Sequence, residues 1–591
     1  MPTTIMPPVV PPPRRRPVDL IYGADDRLPR TTLVLLAIQH LATALALIAY
    51  LLAAARNARL NTADTQSLLS VTLIGMALAT AMQAWGGRLG AGRLLVHMPN
   101  PFMITFAAIA MQRHGMGGMA TLTFVGGVVA LAISPLMQRL RAVFPPTVAG
   151  VVVCFVGISL IGVSVRHAVG LNEDGSMDAV SLIIAGVTLG AIVLCSVWGA
   201  RGVRLLALLI GIGAGVITAA LFGQIEGGAA LASAPWMALP AIHPPDFSVT
   251  SDLLIAVGLI SVLSQLDTVG SVIMMEKIED AEWRRADMRS IGRGVQANGL
   301  GDMLGSLLGG YPTAISSANI ALCHATRSTA RRIGLLTAAF MAAIAFLPQV
   351  TLALTLIPTA VLGAVELYAA AFLIVSGIEL IASRAVDSRG IFTVGLSMCA
   401  GLAVMFMPAI PKHAPDSMQL LVGSGFIVAG ITAIALNLFF RLGTAQQVQR
   451  AIEPGGIPIG EQVIAFVERQ GGAWGARRDV VQRAAMAALE AVDVLQQDSR
   501  RQIRGVRGMF DEFNFDIELL YDGPALVLPS KQGGATPTLS VDDLDDKGFD
   551  AAIEEAVARV SSTLVRHWAD RVVNGTRGKE GQGYLLLHFD H

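Results

Sequence analysis

Apolar residues fill long stretches of the chain between about Thr31 and Arg441, and short polar loops separate these stretches. A helix of about 20 mostly apolar residues crosses a bilayer, so each long apolar stretch predicts a membrane span. The pattern therefore predicts an all-α, polytopic membrane domain. We place fourteen spans at residues 31–55, 64–85, 94–112, 116–138, 145–165, 178–198, 203–222, 251–276, 291–310, 313–326, 333–355, 357–381, 390–408 and 418–440.

The fourteen spans divide into two halves of seven, residues 31–222 and 251–442. The loop between them, residues 223–250, contains no lysine or arginine. Because each half has an odd number of spans, the halves take opposite orientations in the membrane, which is the inverted-repeat plan of secondary transporters. Residues 1–30 form a polar, proline-rich lead that lacks the apolar region of a signal peptide.

The third span of each half, which is the third and the tenth of the chain, is short and interrupted. The interruptions read MPNPF at 98–102 and GGYPTAISSAN at 309–319. Each one alone is also compatible with a Pro–Gly loop at the end of a span. Their matching positions favour broken spans, and broken helices are tolerated in a membrane only where they line a buried cavity. A binding site near these two segments is expected.

The composition agrees with a membrane protein. Hydrophobic residues make up 53% of the chain and charged residues 15%, against about 25% charged residues in soluble domains. The formal net charge is zero, which gives no indication of a nucleic-acid partner. The four cysteines lie in apolar stretches without paired spacing, so the sequence predicts no disulfide framework, zinc site or cofactor.

Basic residues are distributed unequally between the two sets of loops. If the N-terminus faces the cytoplasm, the inside loops carry 16 lysines and arginines and the outside loops carry 5. Loops rich in lysine and arginine stay in the cytoplasm. Both termini are therefore predicted to be cytoplasmic, in a multi-pass protein of the plasma (inner) membrane.

Five motifs follow one another along the predicted spans, in the order YGADDRLP (22–29), IQHLATALAL (38–47), FPPTVAGVVVCFVGISLIGV (144–163), SQLDTVGSV (264–272) and the stretch from Arg293 to Arg327. Together they resemble the nucleobase–ascorbate transporter family, also called the xanthine/uracil permeases. The resemblance implies a core domain of spans 1–4 and 8–11 and a gate domain of spans 5–7 and 12–14. It also implies that the broken spans pair as short strands, and that a purine, pyrimidine or related heterocycle is carried with protons.

Asp267 is the first candidate for the binding site. A carboxylate in the middle of a span is costly and is usually functional. The resemblance places it where the family has a glutamate that binds ring N–H groups of the base, and a lone carboxylate also suits proton coupling. The alternative is a purely structural role, in which the acid pairs with a neighbouring amide. Ser271 lies one helical turn further on the same face and is a second candidate.

Five further candidate site residues lie in the first span and at the two breaks, and the family resemblance implies a role for each. Gln39 and His40 match a Gln–His pair of the first span, and His40 either moves protons or forms a structural hydrogen bond between helices. Phe102 and Met103 follow the first break, where the family stacks an aromatic ring on the base and binds it through the next backbone N–H. Asn319, at the second break, is expected to tie the strands to the eighth span.

Ala318 departs from the family pattern. The family has glutamine or glutamate at this position, and that side chain completes the grip on the base. Either Ser316 or Ser317 takes its place here, or the substrate lacks the second hydrogen-bonding edge. The resemblance therefore predicts the family more firmly than the substrate.

Three other acids lie within predicted spans. Asp302 is expected to brace the core. Glu366 lies in the predicted gate, where it either titrates during gating or forms an interhelical hydrogen bond. Glu379 is assigned no role.

The C-terminal region is polar. Residues 443–459 read as a linker, and residues 460–591 as a cytoplasmic α/β domain with an amphipathic helix at 477–498, a helix at 548–572 and strands at 515–521 and 583–589. This domain resembles the histidine-kinase-like ATPase fold of anti-sigma factors. Val494 stands where that fold has its magnesium-binding asparagine, so a degenerate regulatory module is expected.

The sequence thus predicts a secondary transporter that imports a nucleobase by proton symport, with the core moving against the gate. An anion exchanger or channel of the same seven-plus-seven fold is an alternative, and a membrane-bound ligand sensor is another. The partners expected are a heterocyclic substrate, protons, the bilayer, a second copy of the chain and a cytoplasmic regulator bound through residues 460–591.

Overall fold

The structure of the chain is a computed structural model. It describes residues 15–137, 143, 145–171, 175–225, 228–281, 283, 287–382, 388–407, 409–441, 446–453, 456–511, 514–524, 526, 564–565, 567–577 and 582–590. The chain divides into two compact units. One is Arg14–Phe439, here called the membrane unit, and the other is Met1–Pro13 with Phe440–His591, here called the C-terminal unit.

The first half of the membrane unit is a series of helices with one short strand. Its elements are α1 (Arg30–Ala46), α2 (Ala49–Asn57), α3 (Thr62–Trp85), β1 (His97–Pro99), α4 (Ile104–Ile133), α5 (Pro146–Val169), α6 (Ala179–Trp198), α7 (Arg201–Leu205) and α8 (Ala207–Leu221). Within α4, Gly115 has φ 68° and ψ −166°. Only glycine adopts this conformation easily, so Gly115 separates the third predicted span from the fourth.

The second half repeats this arrangement of long helices around one short strand. Its elements are α9 (Gly228–Ser233), α10 (Ser251–Glu279), α11 (Met288–Ser306), β2 (Thr313–Ile315), α12 (Ser317–Thr326), α13 (Arg331–Ala345), α14 (Pro348–Thr355), α15 (Thr359–Ala382), α16 (Ser388–Phe406), α17 (Ala409–Lys412), α18 (Asp416–Gly423) and α19 (Gly425–Arg441). Helices α13 and α14 meet at an angle of 88°.

Eight helices in the described part of the chain are long and apolar enough to cross a membrane, or nine if α13 and α14 form one span. The protein is therefore a mostly helical, polytopic membrane protein. The continuous helical region that covers the third and fourth predicted spans counts once. The other predicted spans that do not pass this test coincide with α8, α11, α12 and the pair α18–α19, which are short, interrupted or rich in polar residues.

Helices α5 and α15 pack against each other through glycines. A Cβ atom on Gly157 would lie 2.6 Å from the carbonyl oxygen of Ala370, and one on Gly363 would lie 2.3 Å from the backbone nitrogen of Ala168. Both distances are too short for any larger residue. Lipid gives helices no hydrophobic reason to associate, so small residues that allow close backbone packing hold such pairs together.

The segment before α10 runs across the ends of several other helices. Backbone N–H groups of this segment hold it there by donating hydrogen bonds, from Ala238 to the Phe346 carbonyl (3.2 Å), from His243 to the Leu308 carbonyl (3.1 Å) and from Phe247 to the Thr121 hydroxyl (2.9 Å). The segment that connects the two halves is therefore hydrogen-bonded to residues of α4 and to residues that follow α11 and α13.

The C-terminal unit contains two helices and a five-stranded sheet among its described residues. They are α20 (Ile459–Ala473), α21 (Arg478–Gln496), β3 (Gln446–Ala451), β4 (Gln502–Phe510), β5 (Asn514–Asp522), β6 (Arg571–Arg577) and β7 (Gln582–Asp590). The strand order is β3-β4-β5-β7-β6, and all neighbours are antiparallel. Apolar side chains of both helices form one core with the sheet, which agrees with the amphipathic pattern read at 477–498.

Strand β3 lies inside the segment that the sequence analysis assigned to a linker, residues 443–459, and pairs with β4. The linker assignment is therefore corrected. All six side chains of β3 are exposed, as on an edge strand, so the sequence has no alternating apolar pattern there.

The helix predicted at 548–572 does not extend to residue 572, because strand β6 begins at Arg571. Most of that helix lies outside the described residues. Residues 571–577 form β6 instead, and this strand pairs with β7.

Candidate functional site

The two breaks in the helices meet as a pair of short antiparallel strands. Strands β1 and β2 pair with the register His97–Ile315, Met98–Ala314 and Pro99–Thr313, and all of these residues are buried. Lipid offers no partners for the backbone groups that a broken helix exposes, so the two segments satisfy each other. The pairing that the family resemblance implies is observed.

A short polar side chain caps the helix that follows each strand. Oδ1 of Asn100 accepts a hydrogen bond from the backbone N–H of Phe102 (2.9 Å), and Oγ of Ser316 accepts one from the N–H of Asn319 (3.2 Å). The Asn100 amide also donates to Oγ of Ser264 on α10 (2.9 Å). Asn100 thereby ties the first break to the helix that carries Asp267.

Asp302 on α11 holds β2 in place. Its Oδ1 atom accepts hydrogen bonds from the backbone N–H (2.9 Å) and the hydroxyl (2.8 Å) of Thr313. The same hydroxyl lies 3.1 Å from Nδ1 of His97 on β1. Because its proton points to Asp302, the Thr313 oxygen accepts from His97. One buried chain of hydrogen bonds thus links α11 to both strands, in agreement with the bracing role predicted for Asp302.

His40 on α1 is fully buried and contacts the second break. Its Nδ1 atom lies 2.8 Å from Oδ1 of Asn319, whose amide nitrogen donates to Oγ of Ser316 (3.0 Å). Since the carbonyl oxygen of an amide only accepts, the hydrogen bond assigns the proton to Nδ1 of His40. The structural interpretation of His40, a hydrogen bond between helices, is therefore the one that this geometry supports.

Asn319 does not tie the strands to the eighth span in the way the sequence analysis expected. Its side chain instead connects α1 to the start of α12. The contact with α10 comes from Asn100, the polar residue of the other break.

Asp267 lies near the middle of α10 and is 8% exposed. No side chain or backbone N–H among the described residues donates a hydrogen bond to its carboxylate. A buried carboxylate without a partner is unfavourable, so such a group normally has a function. The structural alternative for Asp267 was pairing with a neighbouring amide, and no side-chain amide among the described residues pairs with it.

Two polar neighbours of Asp267 on the same helix, Gln265 and Thr268, have a hydrogen-bond partner on α11. The amide nitrogen of Asn298 on α11 donates to Oγ1 of Thr268 (2.8 Å) and lies 3.3 Å from Oε1 of Gln265. The polar face of α10 is therefore fixed to α11 on one side. The Asp267 carboxylate, in contrast to Gln265 and Thr268, has no hydrogen-bond partner among the described residues.

Phe102 is buried at the first break, in contact with α19. Its ring centre lies 6.2 Å from that of Phe426 with an interplanar angle of 79°, and Phe106 approaches Phe426 from another side at 6.4 Å. Edge-to-face contacts of this kind favour a fixed geometry. Phe426 thus connects α19 to the segment that carries Phe102.

The remaining predicted residues occupy different environments. Ser271 and Met103 are buried, while Ser317 and Ala318 are half-buried at the start of α12. Gln39 is half-buried, and its Oε1 atom is inaccessible and accepts no hydrogen bond from the described residues. Of the predicted site residues, only His40 and Asn319 are joined to each other by a hydrogen bond within the described chain.

Sequence reasoning missed several residues of this region. Asn100 was read only as part of the MPNPF break, although an amide between two prolines is a detectable signal for a cap. Ser264 and Phe426 carry no signal, because one is a common small residue in a helix and the other is one of several aromatic residues in α19. Their roles depend on which helices are neighbours.

These features define a class of protein, namely a polytopic membrane protein in which two broken spans meet beside an unpaired intramembrane carboxylate. The profile of the permease family of the xanthine/uracil type matches residues 31–410 of the chain. The chain belongs to this family, the nucleobase–ascorbate transporters. It is a membrane transporter and not an enzyme.

Several curated proteins are similar to the chain. A putative purine permease of Clostridium perfringens, CPE0397, is 29% identical over 424 residues, which are 71% of this chain and 93% of that protein. The uric acid permease PucK of Bacillus subtilis is 27% identical over 396 residues, with coverages of 65% and 89%. The xanthine permease XanP of Escherichia coli is 27% identical over 439 residues, with coverages of 71% and 95%.

Among solved structures, the murine anion transporter Slc26a9 in its inward-facing state has a similar fold. The TM-score is 0.51 at 13% sequence identity, and the match covers 73% of this chain and 72% of that chain. At this identity the likeness concerns the fold alone.

We predict that Asn100→Ala weakens the attachment of the first break to α10. The change removes the donor to Ser264 and the acceptor for the N–H of Phe102, both of which are buried. Leaving such groups without partners costs about 1–3 kcal/mol. The melting temperature of the purified protein in detergent should fall, and it should fall less for the matched variant Ser264→Ala, which removes only one of the two bonds. Equal melting temperatures for Asn100→Ala and the wild type would contradict this role.

Proposed function

We propose that the protein imports a nucleobase, such as xanthine, uracil or a urate-like purine, or a related heterocycle, together with protons. The observation that carries the proposal is the buried Asp267 carboxylate, which has no hydrogen-bond donor among the described residues. The names of the similar permeases, which refer to purines, uric acid and xanthine, support this substrate class. They favour it over anion exchange.

Asp267 suits a heterocycle that presents N–H groups. An ionised carboxylate accepts hydrogen bonds with both oxygens, so it can bind two N–H groups on one edge of a ring. A free anion would be repelled by the same group. The charge is also compensated when a proton binds, and this makes Asp267 the proposed residue for proton coupling as well as for substrate binding.

The remaining contacts follow from the positions around the breaks. Phe102 offers an aromatic surface, and the backbone N–H of Met103, which donates to the Asn100 carbonyl at 3.3 Å, would have to be shared with the substrate. Ser317, half-buried at the start of α12, supplies a hydroxyl beside Ala318, where the family has a longer polar side chain. We infer that Ser317 or Ser271 forms hydrogen bonds with the second polar edge of the heterocycle, or that the substrate has no such edge.

We propose the full fourteen-span topology as well. Helix α3 packs against α13 as α11 packs against α4, and α1 packs against α13 as α10 packs against α4. Exchanging each helix for its counterpart seven spans away converts one set of contacts into the other, as inverted repeats require. With an even number of spans both termini lie on the same side of the plasma membrane, and the excess of basic residues in the inside loops assigns that side to the cytoplasm. A reporter fused after His591 should therefore be active only in its cytoplasmic form.

Movement of the core against the gate is the proposed transport step. The tightly packed pair α5–α15 belongs to the proposed gate, and the strands with Asp267 belong to the proposed core. Substrate bound between them would pass from one side to the other as the core is displaced. This arrangement is compatible with an elevator or a rocking motion.

The direct test of the substrate class is a thermal-shift screen of the purified full chain. A ligand that binds only the folded state stabilises it by about 2.7 kcal/mol at a concentration 100 times its Kd. We expect at least one purine or pyrimidine to raise the melting temperature and small inorganic anions to leave it unchanged. A shift caused by anions alone would favour the anion-exchange alternative.

We predict that Asp267→Asn abolishes substrate accumulation while the protein still inserts and folds. The amide cannot ionise, and it presents a donor where the substrate also presents a donor. Each lost hydrogen bond to a charged group costs about 1.5–3 kcal/mol, or a factor of about ten or more in Kd. Uptake of the radiolabelled base found in the screen measures the effect, and size-exclusion chromatography reports folding.

The matched control is Asp267→Glu, which keeps the charge and restores the residue of the family. It should retain binding, although the longer side chain changes the affinity. If Asp267→Asn accumulates the base at the wild-type rate and with the wild-type pH dependence, Asp267 binds neither the base nor the proton.

For the C-terminal unit we propose a regulatory role without ATP binding. A nucleotide on a histidine-kinase-like fold needs magnesium held by an asparagine, and Val494 here is a buried apolar residue in the core of the unit. The proposed transport elements end at Arg441. Residues 460–591 would therefore bind a cytoplasmic partner rather than form part of the transport path.

We predict that the full chain does not bind Mg-ATP in isothermal titration calorimetry, and that a chain ending at Arg441 still transports the base. The cut precedes β3 because that strand belongs to the C-terminal sheet. Micromolar binding of ATP would refute the first statement. Loss of all transport by a correctly folded truncated chain would refute the second.

A further inference from the structure

A second buried carboxylate lies outside the region described above. Glu366 on α15 is 2% exposed, and its Oε2 atom lies 3.1 Å from Nδ1 of His167 near the end of α5. Its other oxygen, Oε1, is inaccessible and accepts no hydrogen bond from the described residues. The interhelical hydrogen bond expected for Glu366 is therefore present, but it involves only one of the two carboxylate oxygens.

The charged and titratable groups around Glu366 come from two helices, α5 and α2. From α5 the only one in contact is His167, since Arg166 points outward and is exposed. From α2, Arg56 and Tyr50 both interact electrostatically with Glu366. Helices α6 and α8 also pack against α15, and neither contains an acid, a base or a histidine.

Arg56 can balance the charge of ionised Glu366 but does not neutralise it by contact. Its guanidinium donates to the backbone carbonyl of Ile357, two residues before α15 (2.5 Å). The pair Glu366–His167 therefore has a cation nearby for its deprotonated state and a free oxygen for an added proton. This combination allows both states, whereas a direct ion pair with arginine would hold the carboxylate ionised.

Tyr50 interacts electrostatically both with Glu366 of this pair and with Asp267. The Tyr50 side chain is buried, and its hydroxyl interacts with the charges of both Glu366 and Asp267. Glu366 and His167 belong to the proposed gate and Tyr50 to the proposed core, so their distance depends on how these parts are arranged.

We infer that Glu366 and His167 form a second proton-binding site of the transporter, separate from Asp267. The inference rests on the proposed function for its role in transport. A proton from solution binds to the pair, which then holds two protons instead of one, and no bond other than O–H or N–H changes. His167, whose side chain is 15% exposed, is the member of the pair that solvent reaches, and Glu366 is the buried acceptor.

Infrared spectroscopy of the purified full chain tests the site without a substrate. Protonated carboxylic acids have a C=O stretching band that titrates with pH. We expect Glu366→Gln to remove one titrating band, and His167→Asn to shift the pH at which that band appears. The matched control Glu379→Gln changes an exposed acid on the same helix and should leave the band in place.

Uptake of radiolabelled xanthine into proteoliposomes tests the coupling. Each coupled proton lets a gradient of about one pH unit raise the accumulation ratio about tenfold. Glu366→Gln should lower this ratio by about tenfold and leave xanthine exchange at equal pH intact. Glutamine keeps an oxygen for the His167 hydrogen bond, so a purely structural role would leave both measurements unchanged.

The two measurements separate this inference from the proposed function. If the wild type neither accumulates nor exchanges a base, the proposed function fails, and the infrared titration still decides whether the pair binds a proton. If Glu366→Gln retains every titrating band, the pair binds no proton. If the variant loses a band but accumulates xanthine with the wild-type ratio and pH profile, the bound proton is not coupled to transport. Either result overturns the inference.

Discussion

The pairing of two broken helices is the constraint on which the rest of the membrane unit depends. A helix that stops inside a bilayer leaves backbone groups without partners, and each such group is costly in hydrocarbon. Here β1 and β2 satisfy one another, so neither break is tolerable without the other. The arrangement also brings together residues that are more than two hundred positions apart, and it requires the helices on both sides to hold the strands in register.

Much of the polar chemistry around the strands serves that purpose. Asp302 fixes Thr313, Asn100 fixes α10, and His40 fixes Asn319. At the far end of α10 the buried Arg93 pairs with Glu276 and Glu279. Each of these groups has a partner that explains its burial. Asp267 differs because no described residue donates a hydrogen bond to its buried carboxylate.

The sequence was informative wherever a pattern is local. Long apolar stretches indicated the helices, and proline and glycine in two short spans indicated the breaks. The pattern could not reveal Phe426 against Phe102, or Asn100 against Ser264, because these contacts depend on helix packing rather than on spacing. Strand β3 escaped notice for a related reason, since an exposed edge strand has no apolar face. His40 and Asn319, both predicted site residues, are joined by a hydrogen bond, but the residue that ties a break to α10 is Asn100.

The positions of Asp267 and Glu366 indicate how the proposed substrate binding and proton coupling can be separated in one transporter. Asp267 lies on a helix that is fixed to the paired strands through Asn100 and Asn298, so it moves with them. Glu366 lies on α15, whose glycine contacts fix it to α5 instead. Any relative displacement of the two helix groups changes the interaction between these acids, and a proton bound at either one changes the energy of that displacement. In the proposed mechanism, coupling needs no direct contact between the substrate and a proton bound at Glu366, because the electrostatic interaction between the two acids depends on the arrangement of the helices.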